Sequence, residues 1–129
     1  MALTQLKFYK DIKDLKRTIR EYVIRNLPRE YKITDGFFLK EHLAMMVRLT
    51  AAIYCTSPED LRQKEDFANQ ILYELYVVRD EIEEQDEIHT ISRDVAASIY
   101  LNIEKIDSQI QRFKSYLRKQ GENLPAQGS

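Results

Sequence analysis

The sequence predicts an all-α protein, an antiparallel up-down-up-down four-helix bundle, and three observations predict it. Apolar residues recur at spacings of three and four through four long segments, the period of a helix with one buried face. Glycine and proline are kept to the joints and the end: Pro28, Gly36, Pro58, Gly121, Pro125 and Gly128. The joints are short, which sends each helix back alongside the one before it.

The first helix is predicted over Leu3 to Asn26. Phe8, Ile12, Leu15, Ile19 and Tyr22 step by four and three along one stripe. Leu27-Pro28 ends it, because a residue before proline is pushed out of the α region. After a link from Pro28 to Thr34, a second helix is expected from Asp35 to Cys55, capped by Thr34 or Asp35. Leu39, Leu43, Met46, Leu49 and Ile53 point inward from it. Ser57-Pro58-Glu59-Asp60 opens the third helix: serine caps, proline suits the first helical position, and two acids favour the positive end of the dipole. Its stripe is Leu61, Ala68, Ile71, Leu75, Val78 and Ile82, and it gives way around Glu84 to Asp86. The fourth opens between Glu87 and Ser92 and carries Ile88, Ile91, Val95, Ile99, Ile103, Ile106, Ile110, Phe113 and Leu117. Gly121 ends it, after Arg118 and Lys119 complement the negative end of the helix. Residues 1–120 thus read as one bundle domain, and the polar tail 121–129 is expected to be disordered.

Composition narrows the function. A chain of 129 residues, 32% charged and 43% hydrophobic, suits one soluble domain with a modest core. Cys55 is alone, so no intrachain disulfide forms, and a reducing, cytoplasmic location is expected. The start lacks the apolar run of a signal peptide. The greasiest stretch, Phe37 to Tyr54, is broken by Lys40, Glu41, His42 and Arg48, so it reads as a core helix with no membrane role. The net charge of -1 hides a split: residues 1–32 balance to +5 and residues 57–86 to -7.

Reactive chemistry finds little to work with. A di-metal bundle site needs two Glu-x-x-His pairs, and here only Asp86 stands three before His89. Cys55 has no zinc partners and no haem-attachment motif, so no metal or other cofactor is expected. His42 falls near the second seam, where a histidine bonded within the core or at its edge is the simplest reading. No nucleophile elbow and no glycine-rich phosphate loop occur. The paired carboxylates Glu83-Glu84 and Asp86-Glu87 cluster near a helix end, where solvation explains them. The chain is expected to be no enzyme.

Two surface features remain. Lys7, Lys10, Lys13, Arg17 and Arg20 share one arc of the first helix, opposite its apolar stripe. Such a ridge can track phosphates. Arg25, Arg29 and Lys32 extend it into the joint, and Arg112, Lys114, Arg118 and Lys119 can add to it from the fourth helix. A solvated face, partly neutralised by Asp11, Asp14 and Glu21, is the plainer reading of the same residues. A third reading pairs the basic helix of one subunit with the acidic third helix of another. The second feature is a set of apolar residues off the seams: Phe37, Phe38, Met45 and Val47 on the second helix, Tyr73, Tyr76 and Val77 on the third. They either widen the core or form a subunit interface, where these residue types are favoured.

A seamed first helix ending in Leu27-Pro28-Arg29, then Tyr31 with Ile33-Thr34, leads into an apolar second helix. Thr56-Ser57-Pro58 precedes a long third helix bearing leucine and tyrosine, and a fourth follows. Over roughly residues 5–119 this pattern resembles the four-helix proteins encoded in ribosomal-RNA intervening sequences. It equally resembles their relatives, the accessory variability determinants of diversity-generating retroelements. The resemblance implies a homopentamer of bundles around a central channel. For the retroelement members it implies binding to structured RNA and to a reverse transcriptase, in support of mutagenic copying of a template RNA. Carried over by position, Lys10, Lys13, Arg17, Arg20, Arg112, Lys114, Arg118 and Lys119 become candidates for RNA or transcriptase contact. Phe37, Phe38, Met45, Tyr73, Tyr76 and Val77 are the candidates for the subunit interface. The alternative is a protein-interaction scaffold of the same bundle family with no nucleic-acid role.

Overall fold

Four long helices make up most of residues 6–122, which the computed structural model describes. They are α1 (Lys7–Tyr22), α2 (Phe37–Cys55), α3 (Leu61–Glu87) and α4 (Arg93–Glu122), and among these residues there is no strand. No helix of the described residues is long and apolar enough to cross a membrane. The expected tail lies largely outside the described residues, as do the first residues assigned to the first helix. Within them α4 runs through Gly121 to Glu122, the last described residue.

The apolar stripes explain the packing. Phe8, Ile12, Leu15 and Ile19 of α1 are all but fully buried. The inward rows of α2 and α4 join them, with Ala68, Ile71, Leu75, Val78 and Ile82 of α3, in one contiguous core. Each fully buried Leu or Ile contributes about 1.5–3 kcal/mol relative to exposure. α1 packs against α2 and α4, and α3 packs against the same two, so the four helices form a ring. Phe8 near the start of α1 meets Phe113 near the end of α4 edge-on, with centroids 5.5 Å apart. Glu65 near the start of α3 meets Arg118 near the end of α4. Asp86, near the end of α3, meets Tyr100 and Arg93 near the start of α4.

Several boundaries differ from the sequence reading, each for a physical reason. Tyr22 is exposed and Val23 is buried in its place, because α1 ends at Tyr22 and Val23 lies one four-residue step beyond Ile19. Ile88 is also exposed: it caps the end of α3 and does not belong to α4. Asp60 caps α3, accepting from the Gln63 N–H at 3.2 Å, whereas Ser57 closes a turn before it. The start of α4 is capped by Ser92, whose Oγ accepts from the Val95 N–H at 3.2 Å.

The link from α1 to α2 is the largest departure. In place of a short loop the chain makes a tight helical turn at Ile24–Asn26, a single turn at Arg29–Tyr31 and a wide π turn at Lys32–Gly36 that runs straight into α2. α2 therefore needs no side-chain cap, and Thr34 instead donates its hydroxyl to the Glu30 carbonyl. Gly36 is buried where the two turns meet. A Cβ there would lie 3.3 Å from Ile24 Cγ2 and 3.6 Å from Leu27 Cδ1.

Candidate nucleic-acid interface

Burial of one stripe on α1 leaves the opposite face to water. Lys10, Lys13, Arg17 and Arg20 are all exposed there, at steps of three, four and three. At 1.5 Å per residue they span about 15 Å of ridge. Arg17 lies 3.7 Å from Asp14 on the same helix, an exposed pair that contributes little. Lys13 stands 5.3 Å from the centre of the Tyr9 ring, which orients its ammonium without neutralising it. Lys10, Lys13 and Arg20 make no ion pair among the described residues. Asp11, one of the acids on the flank of the ridge, is occupied by Lys105 of α4 at 3.4 Å.

The four α4 candidates do not form one group. Arg112 and Lys119 line a cleft of about 480 Å³ on α4 with Tyr116, a residue 56% exposed. Cations beside an open aromatic ring suit a phosphate chain with a base stacked next to it. Arg118 turns to α3 instead, where its Nε and Nη2 both donate to Glu65 at 2.8 Å. Lys114 is half-buried. Because Phe8 meets Phe113, the Arg112 cluster lies by the start of α1, while Arg17 and Arg20 approach the opposite end.

At that opposite end the joint gathers cations the sequence keeps apart. Arg20 of α1, Arg25 of the tight turn, Lys32 of the π turn and Lys40 of α2 line one cleft of about 410 Å³, with Glu21 and Ile24. Lys40 was missed at the sequence level. Its only signal was a charge interrupting an apolar run, which periodicity treats as noise.

The apolar candidates lie on α2 and α3. Phe37, Phe38, Met45, Tyr73 and Tyr76 are exposed by 60%, 39%, 38%, 65% and 44%, so they do not widen the core. Val47 does pack on it, and Val77 is half-buried. Tyr76 is partly committed within the chain: its hydroxyl donates to Asp107 of α4 at 3.1 Å. Burial and that carboxylate raise its pKa. His42 sits at the core's edge, where its Nδ1 bonds the Glu74 carboxylate and its ring lies 4.3 Å from that of Phe38. This ties α2 to α3 beside the exposed Phe38.

The acidic counterpart is the end of α3. Glu81 is buried, and burial followed by a hydrogen bond with Asp35 of the π turn pushes its pKa up to about 7. Gln85 donates to Glu81 at 3.2 Å and accepts from the Thr90 hydroxyl at 2.6 Å, so this cluster is satisfied within the fold. Among the described residues no group of three or more His, Cys, Asp or Glu is placed to hold a metal ion. No family model, curated protein or solved structure matches this chain.

Proposed function

We propose that this chain is a non-catalytic, self-assembling accessory protein of a nucleic-acid process in the cytoplasm. Its role would be that of the retroelement accessory proteins it resembles, which bind RNA and a reverse transcriptase during mutagenic reverse transcription. The carrying observation is the α1 ridge: Lys10, Lys13 and Arg20 stand in solvent, without carboxylate partners among the described residues, opposite a fully buried stripe. We further read the end-to-start pairings of α1 with α4 and of α3 with α4 as an antiparallel up-down-up-down bundle. A homopentamer would repeat the ridge five times, and repetition makes weak phosphate contacts add.

Binding to a structured RNA, titrated with salt, tests this. Affinity is expected to fall steeply with salt, and Lys13→Glu with Arg17→Glu is expected to lower it by about ten-fold or more while flattening the slope. No binding at low salt would favour the second reading, a protein-interaction scaffold. The exposed Phe37, Phe38, Met45 and Tyr73 strip supports that reading, since a patch of this kind marks contact surfaces.

A further inference from the structure

The α1 ridge is linear and suits a chain of phosphodiesters, but the joint cleft is different in kind. Its cations come from four separate elements and converge on one space. Four cations against one carboxylate, Glu21, leave it three positive, and none of the four makes an ion pair among the described residues. The fold holds the arrangement in place. Ile24 is both a wall of the cleft and the nearest contact of Gly36, so the buried glycine lets the π turn close on the tight turn. That closure sets Arg25 and Lys32 on the same opening.

A phosphodiester brings one negative charge to such a site, whereas a terminal phosphate carries close to two and a diphosphate more. Guanidinium forks at Arg20 and Arg25 match the paired oxygens of a phosphate, and the ammonium groups of Lys32 and Lys40 add point charges. The cleft, about 410 Å³ and open to solvent, admits a phosphate together with the group that bears it. We infer that the α1–α2 joint is a binding site for a terminal phosphate group, a monoester or diphosphate, borne by a nucleic-acid 5′ end or by a free small molecule. This site shares Arg20 with the ridge, while Arg25, Lys32 and Lys40 belong to the joint alone.

Isothermal titration of the full chain with inorganic pyrophosphate at low salt is the test, paired with RNAs of one sequence bearing a 5′-phosphate or a 5′-hydroxyl. Pyrophosphate is expected to bind. Arg25→Gln with Lys40→Gln is expected to weaken it about ten-fold or more, as losing two charge-assisted contacts should. Arg25→Lys with Lys40→Arg should retain most of the affinity, and a ridge variant, Lys10→Gln with Lys13→Gln, about 10–15 Å of helix away from Arg20, should leave it within about two-fold at about 0.15 M salt. A 5′-phosphate preference that the glutamine pair erases identifies a nucleic-acid end as the source. Equal binding of the two RNAs alongside tight pyrophosphate binding identifies a free small molecule. The inference is overturned if pyrophosphate shows no binding tighter than about 1 mM. It is equally overturned if the glutamine pair, with unchanged helical circular dichroism, binds like the parent chain. Loss of RNA binding in the ridge variant with pyrophosphate binding intact would leave this site standing and judge the ridge alone.

Discussion

The two helix pairs of this chain, α1 with α2 and α3 with α4, are joined in opposite ways. Between α1 and α2 the backbone stays nearly helical through Ile24–Asn26 and Lys32–Gly36, so side chains fan outward around a bend. Arg20, Arg25, Lys32 and Lys40 gather there with no partner among the described residues. Between α3 and α4 the chain turns tightly, with His89 in the left-handed region at φ 63°. The Thr90 N–H reaches back to the Gln85 carbonyl at 3.1 Å, and Gln85, Glu81 and Thr90 bond one another. The first joint leaves its cations in solvent, while the second draws Glu81, Gln85 and Thr90 into hydrogen bonds within the fold and leaves Asp86 Oδ1 buried without a partner.

Because both helix pairs share one core, inner truncations should cost the same in each. Leu15→Ala in the first and Ile99→Ala in the second remove side chains that are 0% exposed. Each is expected to lower the unfolding free energy in urea by about 2–5 kcal/mol. A value below about 1 kcal/mol in one alone would mean that this pair docks loosely.

The pairs meet where Asp35 of the first faces Glu81 of the second. A carboxyl whose folded pKa is raised from 4.5 to about 7 contributes stability that is present at acid pH and lost as pH rises through about 7. Stability measured by urea should therefore fall between about pH 5 and pH 7, by on the order of 2 kcal/mol from this group. Glu81→Gln should flatten that fall and leave the variant more stable than the parent at pH 8.

Smaller effects separate the two turns themselves. His89→Gly should stabilise by about 0.5–1 kcal/mol, since glycine adopts a positive φ without the Cβ penalty. Gly36→Ala should stay within about 0.5 kcal/mol of the parent, because the helical gain of replacing a glycine at φ −64° is offset by a Cβ that meets Ile24 at 3.3 Å. Thermal melting would read both, and a Gly36→Ala gain beyond that margin would show that the first joint is looser than its burial suggests.

Most of the fold was legible because burial obeys period. Phe8 to Ile19, Leu39 to Ile53 and Ile99 to Ile110 are the stripes the spacing names, and they are the residues the core holds. The joint was not legible. Proline at 28 reads as a stop, and the wide turn that follows has no periodic signature, so Arg25 and Lys32 read only as an extension of the α1 ridge and Lys40 stayed apart from them. Tyr22 and Ile88 were misplaced for the same reason: each stands at a helix end, where the stripe no longer fixes a side chain's direction. Of the candidate site, the α1 row could be read from one helical wheel. The diversion of Arg118 to Glu65 depends on a neighbour 53 residues away and could not.

The proposed function draws its strength from repetition of the α1 ridge in an assembly, so the mass of the chain in solution is the most direct test. Light scattering should give a particle several times the 15.3 kDa of one chain, falling toward 15.3 kDa when Phe37→Ser and Tyr73→Ser remove the exposed apolar strip. A particle of 15.3 kDa for the unaltered chain at all concentrations would contradict the account.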